Sequence, residues 1–121
     1  MKQKSAYCRY VDTIEKEEFI TIFSSCVPER WFSNKELQKY SFPQNVRSLA
    51  GRYLIKRTIC NYIKEPGKMH EIEIMNNDLG KPEVLLGANI LNAIELAGIK
   101  KIHCSISHSK NFITGMTILC F

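Results

Sequence analysis

The chain has 121 residues, of which 45% are hydrophobic and 24% charged, a composition that is ordinary for globular proteins and excludes a disordered chain. We expect a single domain over residues 1–121, small enough for its buried parts to need a partner subunit, so oligomerisation is predicted. The formal net charge of +5 favours anionic partners, namely phosphorylated small molecules, acidic proteins or nucleic acid, without choosing among them.

The cysteines and the N-terminus bear on location. Five cysteines at wide spacing predict neither a disulfide framework nor a zinc site: Cys8, Cys26, Cys60, Cys104 and Cys120. The segment after Met1 lacks the apolar core of a signal peptide, and no later run is long enough to span a membrane. We therefore expect a cytoplasmic protein with no membrane partner.

The first half of the chain predicts one strand and three helices. Alternation of side chains predicts a strand at 5–11, and Asp12 or Thr13 can cap a short helix that opens with glutamates. A capping-box pattern opens another short helix at 33–40. A long central helix is predicted at about 47–63, where a Pro-Gly pair follows and stops it.

The second half predicts four strands and one helix. Two alternating runs separated by an Asn- and Gly-containing turn form a hairpin, a helix follows, and two more strands close the chain. The predicted ranges are 71–75 and 82–86 for the hairpin, 87–97 for the helix, and 101–107 and 112–121 for the last strands. The fold class is α+β, with a mostly antiparallel sheet packed against the long central helix and the shorter helices.

The central helix is apolar on nearly all sides, which is typical of a buried helix. It nevertheless carries Arg52, Lys56 and Arg57 in two successive turns. An unpaired charge away from water costs several kcal/mol. We therefore expect an anion beside this helix, either a protein carboxylate or a ligand phosphate.

Three polar segments suit an anion but also have ordinary structural readings. The run 105–109 places serine hydroxyls and His108 at the end of a strand, where they can donate to phosphate or simply form a solvated turn. The run 77–82 is a hairpin turn from which Lys81 could reach an anion. The basic run 98–101 suits a helix exit. Nucleic-acid binding is disfavoured because no broad basic stripe with stacking aromatics is evident, and no nucleophile elbow supports a serine hydrolase.

Three motifs in this order resemble the holo-acyl-carrier-protein synthase type of 4'-phosphopantetheinyl transferase. They are Leu49-Ala50-Gly51-Arg52-Tyr53 with Lys56, then Asn77-Asp78-Leu79-Gly80-Lys81-Pro82, and His103-Cys104-Ser105-Ile106-Ser107-His108-Ser109. The resemblance spans nearly the whole chain. It implies a 4'-phosphopantetheinyl transferase-like fold and a homotrimer with active sites at subunit interfaces.

The resemblance also implies a reaction. Such enzymes move the phosphopantetheine arm of coenzyme A to a serine of an acyl or peptidyl carrier protein and release adenosine 3',5'-bisphosphate. By resemblance, Arg52 is a phosphate contact and Lys56 lies beside the reacting pyrophosphate. The adenosine and its 3'-phosphate would be held by Lys81, Pro82, Ser107 and His108.

The sequence departs from the family at the magnesium site. In the family, an Asp on the first strand and a Glu directly after the helix Lys hold magnesium; the matching positions here are Arg9 and Arg57. A shift of three residues would make Asp12 the family Asp, but the preferred register is Arg9. In addition, Asn61 replaces a later Lys, and 64–67 replaces a glycine-rich loop. Arg offers no oxygen ligand, so no metal ligand is assigned.

Three hypotheses follow. In the first, Arg9 and Arg57 lie side by side and clamp the pyrophosphate in place of the metal, so both belong with Lys56 to the catalytic group. In the second, the chain is a catalytically silent relative that binds coenzyme A, a nucleotide bisphosphate or a carrier protein. The third, a scaffold or nucleic-acid module, rests on the charge alone.

Overall fold

Five strands and four α-helices follow one another in residues 6–121, the part of the chain that the computed structural model describes. Short 3-10 turns occupy Pro28–Arg30 and Met69–Glu71. The elements are β1 (Tyr7–Glu15), α1 (Lys16–Ser24), α2 (Asn34–Lys39), α3 (Val46–Ile63), β2 (Ile72–Asn76), β3 (Pro82–Leu86), α4 (Ala88–Leu96), β4 (Lys101–His108) and β5 (Phe112–Cys120).

The strands form two antiparallel sheets. β5 is the central strand of a three-stranded sheet in the order β1-β5-β4, while β2 and β3 form a separate hairpin. The hairpin lies beside β4 without a hydrogen-bonded ladder between them. This gap between the sheets becomes important for the candidate site.

α3 crosses one face of the three-stranded sheet, and two glycines permit the close approach. A Cβ added at Gly115 of β5 would lie 3.2 Å from the backbone oxygen of Gly51 and 3.0 Å from Cβ of Leu54. A Cβ added at Gly51 would lie 2.3 Å from Cγ2 of Ile106 on β4. The glycines thus allow α3 to bury an apolar surface against the sheet, and Leu54 and Ile55 are fully buried there.

The fold class is confirmed, as are the hairpin and the capping box at Ser33 and Glu36. The expected helix cap at Asp12 or Thr13 is wrong, because β1 pairs with β5 as far as Glu15 and α1 begins only at Lys16. The start of the predicted first strand, Ser5, lies outside the described residues. No helix within 6–121 is both long and apolar enough to cross a membrane.

Candidate functional site: cations on the central helix and a basic cleft

Lys56 lies in the core and is paired with Glu36 of α2. Both side chains are fully buried, and the Lys56 ammonium donates to the Glu36 carboxylate and, at 2.8 Å, to the carbonyl oxygen of Trp31. The second carboxylate oxygen of Glu36 accepts from the backbone N–H of Ile74 at 2.9 Å. Burial lowers the pKa of Lys56 to about 8, although Glu36 acts against this shift.

This placement gives Lys56 a structural role that the sequence did not predict. Its ammonium has no exposed surface with which to contact a ligand. The expected position beside a pyrophosphate stays a prediction, and it requires the pair with Glu36 to open. The capping-box pattern in the sequence marks Glu36, but it carries no signal for the partner of Glu36, which lies 20 residues away.

Arg52 is also buried, with 2% exposure, yet its contacts in the described chain are to neutral groups. Its Nε donates to the carbonyl oxygen of Ile74 at 2.7 Å, Nη1 to that of Ser48 at 3.2 Å, and Nη2 to Oδ1 of Asn76 at 3.0 Å. The guanidinium also stacks 3.7 Å from the centre of the Tyr40 ring. Burial lowers the pKa of Arg52. Its predicted phosphate contact stays a prediction.

Arg57 forms an ion pair with Asp12, the residue of the alternative register, and Arg9 does not lie beside it. Its Nε and Nη2 both donate to Oδ2 of Asp12, at 3.0 and 2.8 Å, and each side chain is about one-third exposed. Burial works against the Arg57 charge, but the hydrogen bonds and charge of Asp12 outweigh it and raise the pKa of Arg57.

The expected side-by-side placement of Arg9 and Arg57 is therefore wrong, and the reason is the period of a strand. Positions 9 and 12 are an odd number of residues apart, so their side chains leave opposite faces of β1. Asp12 lies opposite Gly115, the residue against which α3 packs, whereas Arg9 lies opposite Ile118 and is exposed. The expected pair of adjacent, repelling guanidinium groups does not form.

A recess of about 350 Å³ opens beside this ion pair. It is lined by Asp12 with Tyr10 and Val11 from β1, and by Thr58, Asn61 and Tyr62 from α3. Asn61 is the position at which the resemblance expects a later lysine. The position of the missing lysine and the Asp12–Arg57 pair therefore meet at one place, which supports the Asp12 register.

A larger cleft, of about 500 Å³, lies in the gap between the hairpin, α4 and β4. Two predicted residues, Lys81 and Pro82, line it. The other ionisable residues of its lining are Glu83, Lys100, Lys101, His103 and Cys104. Three lysines against one glutamate make it a basic cleft. The sequence indicates a helix exit at 98–101, and only the three-dimensional structure shows that its lysines join Lys81.

Ser107 and His108 do not join this cleft within one chain. They are exposed at the C-terminal end of β4, whereas Pro82 lies near Cys104, whose Sγ is 3.7 Å from the Pro82 carbonyl oxygen. Three to four residues of strand separate the two places, roughly 10–13 Å. The predicted nucleotide-binding set is thus divided between two regions.

No protein-family profile matches the chain. It is 32% identical over 102 residues to the holo-acyl-carrier-protein synthase of Buchnera aphidicola, which covers 80% of this chain and 81% of that protein. The identity to the Clostridium tetani synthase is 35% over 99 residues, 75% of each chain. The fatty acid synthase subunit alpha of Schizosaccharomyces pombe is 33% identical over 105 residues, but the chain spans only 6% of that protein.

Solved structures of holo-acyl-carrier-protein synthases share this fold. The synthase of Neisseria meningitidis superposes with a TM-score of 0.75 at 21% identity, covering 92% of this chain and 95% of that one. A Chronobacterium ammoniagenes ACPS-CoA complex superposes with a TM-score of 0.78 at 20% identity, covering 94% and 96%. The chain therefore shares its α+β fold with these holo-acyl-carrier-protein synthase structures.

Together with the sequence identities, this shows that the chain belongs to the holo-acyl-carrier-protein synthase family.

Proposed function

We propose that this chain transfers the 4'-phosphopantetheine arm of coenzyme A to a serine of an acyl or peptidyl carrier protein. The observation that carries the proposal is the basic cleft, in which Lys81 and Pro82 of a family motif join Lys100, Lys101 and His103. In a chain of this family, a cation-rich cleft beside a proline suits a nucleotide with several phosphates.

In this proposal the lysines of the cleft hold the 3'-phosphate and Pro82 contacts the adenine. The serine oxygen of the carrier protein attacks the phosphorus that bears the pantetheine arm. A phosphodiester bond forms, the bond to the other phosphate breaks, and adenosine 3',5'-bisphosphate leaves while the serine proton is released. Nearby cations favour the reaction because negative charge builds up on the leaving phosphate.

The family resemblance supports a homotrimer as part of this proposal. Ser107 and His108 are exposed at the far end of β4, so they are free to complete the cleft of a neighbouring protomer. The sheet face directed away from α3 also exposes apolar side chains that a neighbour would cover, among them Tyr7, Val11 and Phe112. A cytoplasmic location stays part of the proposal, and all five cysteines are free thiols.

The test is transfer to a carrier protein. Purified chain is incubated with coenzyme A, magnesium and apo carrier proteins, and the intact mass of each carrier is measured. We expect one phosphopantetheine arm per carrier. Lys81→Glu should slow the transfer, whereas Lys39→Glu, the same charge change on α2, should not. Absence of any mass gain, while an established transferase loads the same carriers, would contradict the proposal.

A second candidate, a silent relative that binds coenzyme A or a carrier protein without transfer, is favoured by one observation. By the family resemblance, Arg57 stands where a carboxylate is expected, and it is already paired with Asp12. Calorimetric binding of coenzyme A without loading of any carrier would support this candidate over the transferase.

A further inference from the structure

Asp12 and Arg57 lie together at the place where the family resemblance implies a magnesium ion. Magnesium requires oxygen ligands in near-octahedral geometry. Of the two residues at this place, Arg57 offers only N–H donors, and Oδ2 of Asp12 accepts two hydrogen bonds from it. Within residues 6–121, no group of three or more His, Cys, Asp or Glu side chains could hold a metal ion. These residues therefore do not fit the ion that the family resemblance implies.

The charges at this place point to what takes the role of the ion. Two carboxylates with one divalent cation carry a total charge of zero, and so does one carboxylate with one guanidinium. The Asp12–Arg57 pair thus reproduces the net charge of a metal-loaded site without a metal. With a carboxylate at position 57, the pair would carry a charge of –2. A cation would then be needed before a negatively charged phosphate could bind beside it.

The geometry leaves Arg57 able to bind an anion. Two of its five N–H donors are used by Asp12. Nη1 is 3.5 Å from the Tyr53 hydroxyl, a long contact, and the guanidinium lies 5.0 Å from the centre of the Tyr53 ring. One-third of the Arg57 side chain is exposed. A planar guanidinium held in this way can offer two parallel N–H groups to phosphate oxygens.

We propose that Arg57, oriented by Asp12, binds the pyrophosphate of coenzyme A directly, and that coenzyme A binding by this chain is independent of divalent cations. This inference rests on the proposed use of coenzyme A and deepens it. Asp12 is a positioning residue, since it acts through Arg57. The same contact stabilises negative charge on the phosphate that leaves during transfer.

The experiment measures coenzyme A binding by calorimetry, without carrier protein, in excess chelator and in magnesium. For the unaltered chain we expect equal affinities in the two buffers. For Arg57→Glu, which restores two carboxylates, we expect affinity in chelator to fall by about tenfold or more and magnesium to restore it. Arg30→Glu, the same charge reversal at an exposed position, should leave both affinities unchanged.

Two further measurements make the test decisive. Calorimetry with magnesium alone should give no heat of binding for the unaltered chain and a binding isotherm for Arg57→Glu. If that variant fails to fold, Arg57→Gln should lower the affinity in chelator about tenfold and gain nothing from magnesium. The inference is overturned if the unaltered chain binds coenzyme A only with magnesium, or binds it in neither buffer.

Because no carrier protein is present, this outcome is separable from that of the transfer assay. Chelator-insensitive, Arg57-dependent binding with no loading of carriers would support the inference and contradict the transferase. Loading of carriers in magnesium, together with coenzyme A binding that is lost in chelator, would support the transferase and overturn the inference.

Discussion

The buried pair of Lys56 and Glu36 should be the most sensitive point of the fold, and Glu36→Gln tests this with little change in volume. Oε1 of Glu36 accepts from Lys56 and from the backbone N–H of Ser33, while Oε2 accepts from the N–H of Ile74. An amide replaces one of these oxygens by NH₂. In either orientation a donor then faces a donor, and the Lys56 ammonium loses its counter-charge.

The expected loss can be estimated from these contacts. Breaking a buried ion pair by removing one partner costs about 3–5 kcal/mol, because the remaining charge stays out of water. If the amide nitrogen instead faces the backbone N–H of Ile74, that N–H loses its acceptor, which costs about 1–3 kcal/mol. We therefore expect Glu36→Gln to lower the free energy of unfolding by about 4 kcal/mol, a large fraction of the stability of a small domain.

The assay is urea denaturation at one fixed protein concentration, with Lys56→Met and the double variant completing a cycle. The double variant has no buried charge at this place. We expect it to be more stable than Glu36→Gln, with a coupling energy of about 2 kcal/mol or more. Additive effects of the two single changes, or a loss below about 1 kcal/mol for Glu36→Gln, would refute the assignment of a buried, charged pair.

Three further predictions concern packing, thiols and pH. Gly115→Ala should lower the free energy of unfolding by about 1–3 kcal/mol, because its Cβ would meet a backbone oxygen at 3.2 Å, whereas Gly67→Ala, with open space around it, should be neutral in the same urea titration. Cys60 and Cys104 should resist alkylation in the native protein by mass spectrometry, because burial raises the pKa of each thiol to about 11. Burial lowers the pKa of Lys56 to about 8 from 10.5. Between pH 8 and 10.5 the unfolded chain therefore binds more protons than the folded chain. The free energy of unfolding, compared with that of Lys56→Met, should rise across this window by at most about 1.4 kcal/mol per pH unit.

Local sequence rules predicted most of the elements. The hairpin, the capping box of α2 and the extent of α3 follow from turn residues, caps and apolar spacing, all of which act within a few positions. The position of β1 was predicted too short because its C-terminal part is polar. Its pairing with β5, more than 90 residues away, extends it to Glu15.

The partners of the α3 cations could not be predicted from local rules. The sequence correctly required anions beside this helix, and carboxylates serve two of the three cations. Which carboxylates they are depends on packing, since Glu36 reaches Lys56 across the core and Asp12 reaches Arg57 from β1. Asp12, and not Arg9, pairs with Arg57 because the face of β1 that carries Asp12 packs on α3. Gly115, which lies opposite Asp12 and has no side chain, allows α3 to approach this face.

The third cation, Arg52, links the central helix to the basic cleft. Its three acceptors are neutral, so its hydrogen bonds are satisfied while its charge is not cancelled. Arg52 and Lys81 both act to lower the pKa of the Cys104 thiol, against the effect of burial, and Cys104 and Lys81 line the cleft. A buried charge is screened less than an exposed one. Arg52 therefore adds to the positive potential of the cleft from behind, and it can favour an anionic ligand there without touching it.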